Sequence, residues 1–467
     1  MTLLFNIFPV AYKTNSQSLF FPIDILTVPI FVYLVVKYFN NYKDKHKSIA
    51  IYEKYYMKAL IVRLVCTLLT AMMYDFYYNG GDTTVYFFHI LYIKPLLFEN
   101  PMLFFQVVFD PQSFESQKWL CDQAFDCGIY LFDGATGNII RFGLLLSYFC
   151  FSSFLVISTV FTIYAFLGCW NLYKVFQELY PHLEKEMAIA CLFIPSMCFW
   201  GTGLMKDSLC LGALGLLVHS VYSVIFKRER ILFNVLFAAF NIYLLVVIKV
   251  YIILAFAPAL AVWVFARGRA NIKSPFLKAI ATPIFVTVGL ISGVGVLTAM
   301  GSIAERYAME EMMRTAKDTQ NWLVTASKMS GGSFYTLGDI EYSALGLLKI
   351  IPKAVNVSLF RPYLWEAKKI MLFPAAIEGV FTFYLTIRLL FKSGFLNFFK
   401  MIAANPEVQF CLVFSIIFAF AVGFTSFNFG ALARYKIPFM PFYYMALFIL
   451  GDVQKKKEKI VVKSNAN

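Results

Sequence analysis

Long apolar segments alternate with short polar ones along almost the whole chain of 467 residues. They lie near residues 18–38, 56–74, 142–168, 187–203, 278–300, 373–392, 407–425 and 435–451, with three more between Lys206 and Arg267. A helix needs about 20 apolar residues to cross a bilayer. The pattern therefore predicts an all-α polytopic membrane protein, with about eleven transmembrane helices in a single domain over residues 1–467.

Two longer polar regions interrupt this pattern, at residues 75–141 and 301–368. Within the first, residues 85–109 are aromatic and amphipathic, and Pro95 and Pro101 interrupt them. This composition is typical of short helices that lie in the plane of the membrane interface. We expect both regions to be outer-face loops that contain such interfacial helices.

The basic residues favour one orientation in the membrane. The net charge is +14, but the Lys and Arg residues fall mostly in short loops on one side of the predicted spans. The positive-inside rule explains this better than a nucleic-acid partner would, so we predict a lipid bilayer as partner and no nucleic acid. The rule places the N-terminus outside and the basic tail, residues 452–467, in the cytoplasm.

The nine cysteines show no Cys and His spacing that would build a zinc site. Cys121 and Cys127 stand apart from the others, because both lie in the first predicted outer loop. A local disulfide between them is plausible if that compartment is oxidising.

The chemistry predicted for the first outer loop begins with two glycines and a carboxylate. Gly80 and Gly81 permit a tight turn, and Asp82 follows them at the predicted water boundary. Asp82 is the first candidate for a catalytic base, although aspartate is also common in turns for its local hydrogen bonds. Asp75 is a second catalytic candidate, and it would equally serve as a local cap or ion-pair partner.

Other unusual polar residues gather at the same predicted face, and helix ends would bring them towards one cavity. Charged groups near hydrocarbon are expensive and tend to bind ligand, pair with one another or take part in chemistry. A carboxylate beside several cations suits transfer from a lipid phosphate, since it can take a proton while the cations stabilise the leaving phosphate. The residues concerned are Asp75, Asp82, Arg141, Lys206, Asp207, Lys249, Arg361, Glu366 and Arg434.

Three short motifs resemble the GT-C class of integral-membrane glycosyltransferases, in particular bacterial members related to the dolichyl-phosphate-mannose mannosyltransferases. They are Gly81, Asp82, Thr83 and Tyr86 in Gly-Asp-Thr-x-x-Tyr, the hairpin from Pro195 to Asp207, and Arg434 to Pro438 in Arg-Tyr-x-x-Pro. The resemblance implies a polyprenyl-phosphate sugar donor, a glycan, lipid or protein acceptor, and an aspartate in the first outer loop that acts as base or helps to hold a metal. By resemblance that residue is Asp82.

The chain departs from the family pattern in three respects. One extra helix precedes Asp82, no Asp-Glu or Asp-Asp pair is adjacent to it, and no large soluble C-terminal domain follows. These departures leave a divalent metal and the acceptor class open, and no cofactor is certain.

The remaining candidates each have a simpler alternative. Arg434, Arg361 and Lys206 are candidates for holding the donor phosphate, but the arginines would also snorkel to lipid headgroups and Lys206 with Asp207 would also form a solvated hairpin tip. Tyr86, His89, Asp207 and Lys249 are candidates for the substrate pocket. For His89 a packed histidine is the commoner case, and for Lys249 a topological anchor is the alternative.

Three other functions fit the same pattern, and one of them is a non-catalytic assembly or scaffold component, for which removal of the outer-face charges would leave function intact. An O-antigen-type polymerase or ligase would use undecaprenyl-diphosphate-linked oligosaccharide and would depend on arginines and a histidine more than on Asp82. A lipid-linked-sugar transporter or flippase would show broken helices and charged residues at the depth of the membrane midplane.

Overall fold

The computed structural model describes residues 18–123, 128–132, 134–270, 318, 325, 333–338 and 344–465. The predicted span at 278–300 and most of the predicted loop at 301–368 lie outside these residues. Within these residues the regular secondary structure is helical, apart from one isolated bridge between Phe334 and Asn428.

Eighteen helices are numbered here in chain order. The first nine are α1 Asp24–Lys45, α2 Tyr52–Tyr77, α3 Asp82–Glu99, α4 Pro101–Phe109, α5 Phe114–Gln123, α6 Ile129–Phe132, α7 Gly134–Ser147, α8 Phe154–Leu179 and α9 Glu184–Leu192. The others are α10 Pro195–Trp200, α11 Lys206–Tyr222, α12 Ile231–Ala270, α13 Ala344–Phe360, α14 Phe373–Ser393, α15 Phe395–Ala404, α16 Pro406–Thr425, α17 Phe429–Tyr435 and α18 Met440–Asn465. Single turns of 3₁₀-helix lie at Pro181–Leu183, Leu364–Glu366 and Ile370–Leu372.

Among the described residues, seven helical segments are long and apolar enough to cross a membrane. The number becomes eight if α17 and the first part of α18, which are bent by 67° at a short break, form one span. The protein is thus an all-α polytopic membrane protein by the length and composition of its helices. The prediction of about eleven crossings stays a prediction.

Three segments differ from their sequence-based boundaries. The apolar segment at 187–203 forms two short helices, α9 and α10, because Pro195 starts a new helix after the break at Phe193. The segment at 142–168 is divided at Phe151 and Ser152, both of which have positive φ, so the long helix α8 starts at Phe154. Pro95 lies inside α3 and does not end it, whereas Pro101 begins α4 as expected.

The chain divides into two compact units. The first contains Met1–Val175 and Cys198–Val250, and the second contains Phe176–Met197 and Tyr251–Asn467. The motif from Pro195 to Asp207 is therefore shared between them in sequence.

In the first unit, α3 packs on α7, and α8 crosses α11 at three glycines. A Cβ on Gly168 would lie 2.2 Å from the carbonyl oxygen of Gly212, and a Cβ on Gly215 would lie 2.1 Å from that of Gly168. Only residues without a side chain allow the two backbones to approach so closely. Backbone contact, rather than interdigitated side chains, holds this crossing together.

In the second unit, α13 and α18 pack on α16, and α14 packs on α13 and α18. Its core is aromatic: Trp263 stacks on Phe410 with ring centroids 4.6 Å apart, and Phe414 meets Phe442 edge-on at 4.7 Å. Gly423 allows α16 to approach α13, since a Cβ there would lie 2.1 Å from the carbonyl oxygen of Ala354. Aromatic stacking and close helix contact are both typical of helices packed within a membrane.

Candidate functional site

The turn before Asp82 has the backbone that the sequence predicts. Gly80 and Gly81 have φ values of 135° and 128°, a region that side chains rarely adopt. Gly81 is also confined, because a Cβ there would lie 2.9 Å from Cε1 of Tyr74. Asp82 is then the first residue of α3, where the positive end of the helix dipole favours a carboxylate. It is partly exposed, so a solute can reach it.

A hydrogen bond connects this turn to the second motif. The Thr83 hydroxyl, which is buried, donates to the carbonyl oxygen of Leu204 at 2.9 Å. Leu204 also lies close to Gly143 of α7, where a Cβ would be 3.3 Å from its Cδ1. The start of α3 is therefore attached to the segment that leads directly into Lys206 and Asp207.

Buried hydroxyl groups hold the same segment against α2 and α8. Thr67 and Thr162 share a hydrogen bond of 2.7 Å, and the backbone N–H of Gly203 donates to Thr162 at 3.0 Å. The backbone N–H of Leu204 donates to Ser158 at 3.3 Å. Thr67, Ser158 and Gly203 line a space of about 10 Å³, which is roughly enough for one water molecule.

Lys206 and Asp207 begin α11 and are not a solvated hairpin tip. The Asp207 side chain is completely buried and forms an ion pair with Lys249, whose side chain is only 7% exposed. Lys249 lies at the break in α12, where its φ of −147° and ψ of 76° are not helical. Lys206 is half-buried and donates to the Thr136 hydroxyl of α7 at 2.6 Å. The structure thus brings three predicted site residues together.

The other candidates of the first unit have local roles. Asp75 accepts hydrogen bonds from the Ser18 hydroxyl at 2.8 Å and the Leu19 N–H at 2.7 Å, so it anchors the start of the described chain. Tyr86 and His89 are buried in α3, and His89 Nδ1 lies 2.8 Å from the carbonyl oxygen of Val85. Arg141 donates to the Val108 carbonyl at 2.7 Å, which ties α7 to the end of α4.

In the second unit, Arg361 is paired with Glu366. Nε of Arg361 donates to Glu366 at 3.0 Å, Nη2 donates to the other carboxylate oxygen, and the backbone N–H of Tyr363 adds a third hydrogen bond at 2.8 Å. The guanidinium also lies 5.1 Å from the ring centre of Phe429 and 5.7 Å from those of Tyr335 and Tyr363. Burial raises the pKa of the Tyr335 phenol, which donates to the carbonyl of Gly423 at 2.9 Å. This is an ion pair enclosed by aromatic rings.

Arg434 is half-buried at the last turn of α17, with its guanidinium 5.9 Å from the ring centre of Tyr435. Two residues later, Lys436 is completely buried, and its nearest described carboxylate, Glu378, is 3.9 Å away. Glu378 accepts hydrogen bonds from the N–H of Ser196 at 3.1 Å and from its hydroxyl at 2.7 Å. Glu378 therefore joins the first residues of the Pro195 motif to the Arg434 motif.

Sequence reasoning missed Glu378, Lys436 and a buried arginine in α2. Arg63 is completely buried, donates to the Gly201 carbonyl at 3.4 Å and to Cys169 Sγ at 3.0 Å, and has no carboxylate partner among the described residues. The signal that would have found Arg63 and Glu378 is a charged residue inside an apolar segment, which is expensive and tends to be functional.

The candidates thus form two groups, one in each unit. Asp82, Lys206, Asp207 and Lys249 belong to the first, and Arg361, Glu366, Lys436 and Arg434 to the second. That all of them line one cavity stays a prediction.

A metal site is not evident in the described part of the chain, where no three His, Cys, Asp or Glu side chains are placed to share an ion. Cys121 is disulfide-bonded, and Cys127, the partner that the sequence suggests, lies outside the described residues. The seven other described cysteines form no disulfide bond.

No protein-family model, curated protein or solved structure matches this chain. The resemblance to GT-C glycosyltransferases therefore depends on the three short motifs alone.

Proposed function

We propose that the chain is a membrane glycosyltransferase of GT-C type, which moves a sugar from a polyprenyl-phosphate donor to a glycan, lipid or protein acceptor. It would act at the outer face of a bacterial inner membrane, with the N-terminus outside, the C-terminus in the cytoplasm and about eleven spans. One observation carries the proposal. Asp82 stands partly exposed at the start of α3, and its neighbour Thr83 is bonded to the segment that ends in Lys206.

The chemistry needs a base and a cation near the anomeric carbon. Asp82 would take the proton of the acceptor hydroxyl, whose oxygen forms a bond to that carbon. The bond from the carbon to the phosphate oxygen breaks, and the phosphate leaves with the electron pair. Lys206 would stabilise the negative charge on this oxygen. A single displacement of this kind inverts the anomeric centre, and no step requires a metal.

The hydrogen bonds of Arg361 change which of the three candidates we prefer as the phosphate ligand. Nε and Nη2 of Arg361 donate to Glu366, which neutralises the guanidinium and leaves only Nη1 and one N–H of Nη2 for a phosphate. We therefore assign Arg361 to positioning, and Lys206 ahead of Arg434 to the phosphate. Asp207 and Lys249 would hold the start of α11 in place and would not contact the sugar.

The test compares wild type with Asp82→Asn in nanodiscs, supplied with a panel of polyprenyl-phosphate sugars. Release of free polyprenyl phosphate and binding of the donor are measured in parallel. Loss of a general base lowers turnover by about 10²–10⁴-fold, so we expect this loss with donor binding retained. Asp75→Asn is the matched control, because it changes a carboxylate of the same region that is used by Ser18 and Leu19. Equal losses in both variants would contradict the assignment.

A transporter for lipid-linked sugars is the second candidate, and a specific observation favours it. Arg63 is buried within the candidate span Tyr52–Tyr77, and α12 is broken at a buried Lys249. Charged residues inside spans and broken helices are typical of transporters. Reconstituted vesicles that move a fluorescent lipid-linked sugar across the bilayer, with Asp82→Asn as active as wild type, would favour this function over sugar transfer.

A further inference from the structure

A cavity of about 260 Å³ opens in the second unit, between α9, α14 and α18. One wall is apolar and the rim is charged, a combination that suits an amphiphile rather than a fully polar solute. The apolar lining is Leu183, Leu385, Leu389, Leu447, Phe448 and Gly451, and the polar lining is Glu186, Arg388, Lys392, Asp452, Gln454 and Lys455.

Several rim charges are already compensated within the protein. Lys392 pairs with Glu458 at 2.8 Å. Asp452 accepts hydrogen bonds from His182 at 2.9 Å and from Lys456 at 2.8 Å.

Arg388 and Lys455 have no carboxylate partner within the described ranges. The Arg388 guanidinium lies 6.0 Å from the ring centre of Tyr384 on the same helix. Glu186 likewise has no described cation partner, so the rim presents two uncompensated cations and one carboxylate. This pattern is complementary to a phosphate group that also carries hydroxyl donors.

The neighbouring helix α15 indicates the depth of the cavity. It is only 10 residues long, and Phe395, Leu396 and Phe399 are 66%, 76% and 52% exposed. A short helix with such a face is typical of the membrane interface. α15 is attached to the cavity through Asn397, which donates to Gln454 at 3.5 Å and accepts from Lys457 at 2.7 Å. Phospholipid headgroups lie at this depth.

We propose that this cavity binds the headgroup of an anionic phospholipid. Arg388 and Lys455 bind the phosphate, and Glu186 accepts a hydrogen bond from a hydroxyl group of the headgroup. The leucines and Phe448 contact the first carbons of the acyl chains. The positive-inside pattern assigns this end of the helices to the cytoplasmic leaflet, whose anionic lipids attract basic clusters. The site is independent of the sugar-transfer proposal.

The experiment titrates the purified protein in neutral detergent with short-chain phosphatidylglycerol and counts bound lipid by native mass spectrometry. Arg388→Gln/Lys455→Gln is compared with Lys185→Gln/Lys400→Gln, which removes two exposed charges near the same helix ends but outside the cavity. Phosphatidylcholine of equal chain length and glycerol phosphate are the two competitor arms. Thermal unfolding of each variant shows that both remain folded.

We expect one saturable phosphatidylglycerol that the cavity variant binds about tenfold or more weakly, while the control stays within about twofold of wild type. We also expect phosphatidylcholine to bind less tightly and glycerol phosphate to leave the lipid in place. Equal losses in the two double variants would mean diffuse attraction and would overturn the proposal. Displacement of the lipid by glycerol phosphate would also overturn the proposal, because it would identify the occupant as a free phosphate compound. The absence of saturable binding would overturn it as well.

Discussion

Each unit contains one ion pair whose residues the sequence indicated as candidate ligands, and the two pairs have very different surroundings. The Asp207 and Lys249 side chains are 0% and 7% exposed and lie between two helices. The Arg361 and Glu366 side chains are 19% and 17% exposed, only five residues apart, and surrounded by aromatic rings. The first pair joins distant parts of the chain, and the second shapes one turn.

This difference separates structural charges from charges that a ligand can reach. A sealed pair cannot lose one member cheaply, because the other is left as an uncompensated charge in a medium of low polarity. A pair near the surface exchanges its partner for water or for a ligand at a smaller cost. Three measurements would test the comparison.

The largest effect is expected when the sealed pair is broken. Lys249→Met leaves Asp207 buried without its partner and should destabilise the first unit by about 3–5 kcal/mol. Asp207→Leu/Lys249→Met removes both charges and should recover most of this loss. Chemical denaturation in detergent, followed by tryptophan fluorescence, measures both. A double variant no more stable than the single would contradict the view that the unpaired charge is the cause.

A smaller effect is expected for the second pair. Glu366→Gln keeps the shape of the side chain but removes its charge, and it should cost about 1 kcal/mol because Arg361 can turn to water. A double-mutant cycle with Arg361→Gln isolates the coupling between the two side chains. A coupling free energy equal to that of Asp207 and Lys249 would contradict the difference that the exposed fractions of the two pairs predict.

The smallest effect concerns salt. Raising the ionic strength from about 0.01 M to about 1 M shortens the Debye length from about 30 Å to about 3 Å. The coupling between Arg361 and Glu366 should fall by several tenths of a kcal/mol, while that between Asp207 and Lys249 should not change measurably. The two cycles are repeated at both ionic strengths. A salt-sensitive Asp207–Lys249 coupling would mean that water reaches this pair.

The helices were the more predictable part of the molecule. Apolar length identified α2, α14 and α16 closely, since hydrophobic runs and bilayer thickness are local properties of the chain. The glycine turn before Asp82 was also predictable, because the need for positive φ restricts the residue type. Pro195 was visible in the sequence, but whether a proline breaks a helix depends on its surroundings, as Pro95 shows.

The partners of the charged residues could not be predicted. Asp207 meets Lys249 across 42 positions and Glu378 meets Ser196 across 182, and no local pattern encodes contacts at such separations. The sequence identified several of the unusual groups, although not Glu378, and treated them as a single set of ligands. Several of these charged groups form ion pairs within the protein, so fewer charged groups are available to bind a substrate.

The glycine crossing of α8 and α11 limits where the first unit can change shape. Two backbones in direct contact at Gly168, Gly212 and Gly215 cannot slide or rotate past each other without a clash. Leu204 lies two residues before α11 and accepts a hydrogen bond from Thr83. We therefore expect the backbone around Asp82 to stay rigid during a reaction cycle. Any gate that admits a bulky lipid-linked substrate must then be formed by other elements, and cross-linking α8 to α11 should leave turnover unchanged.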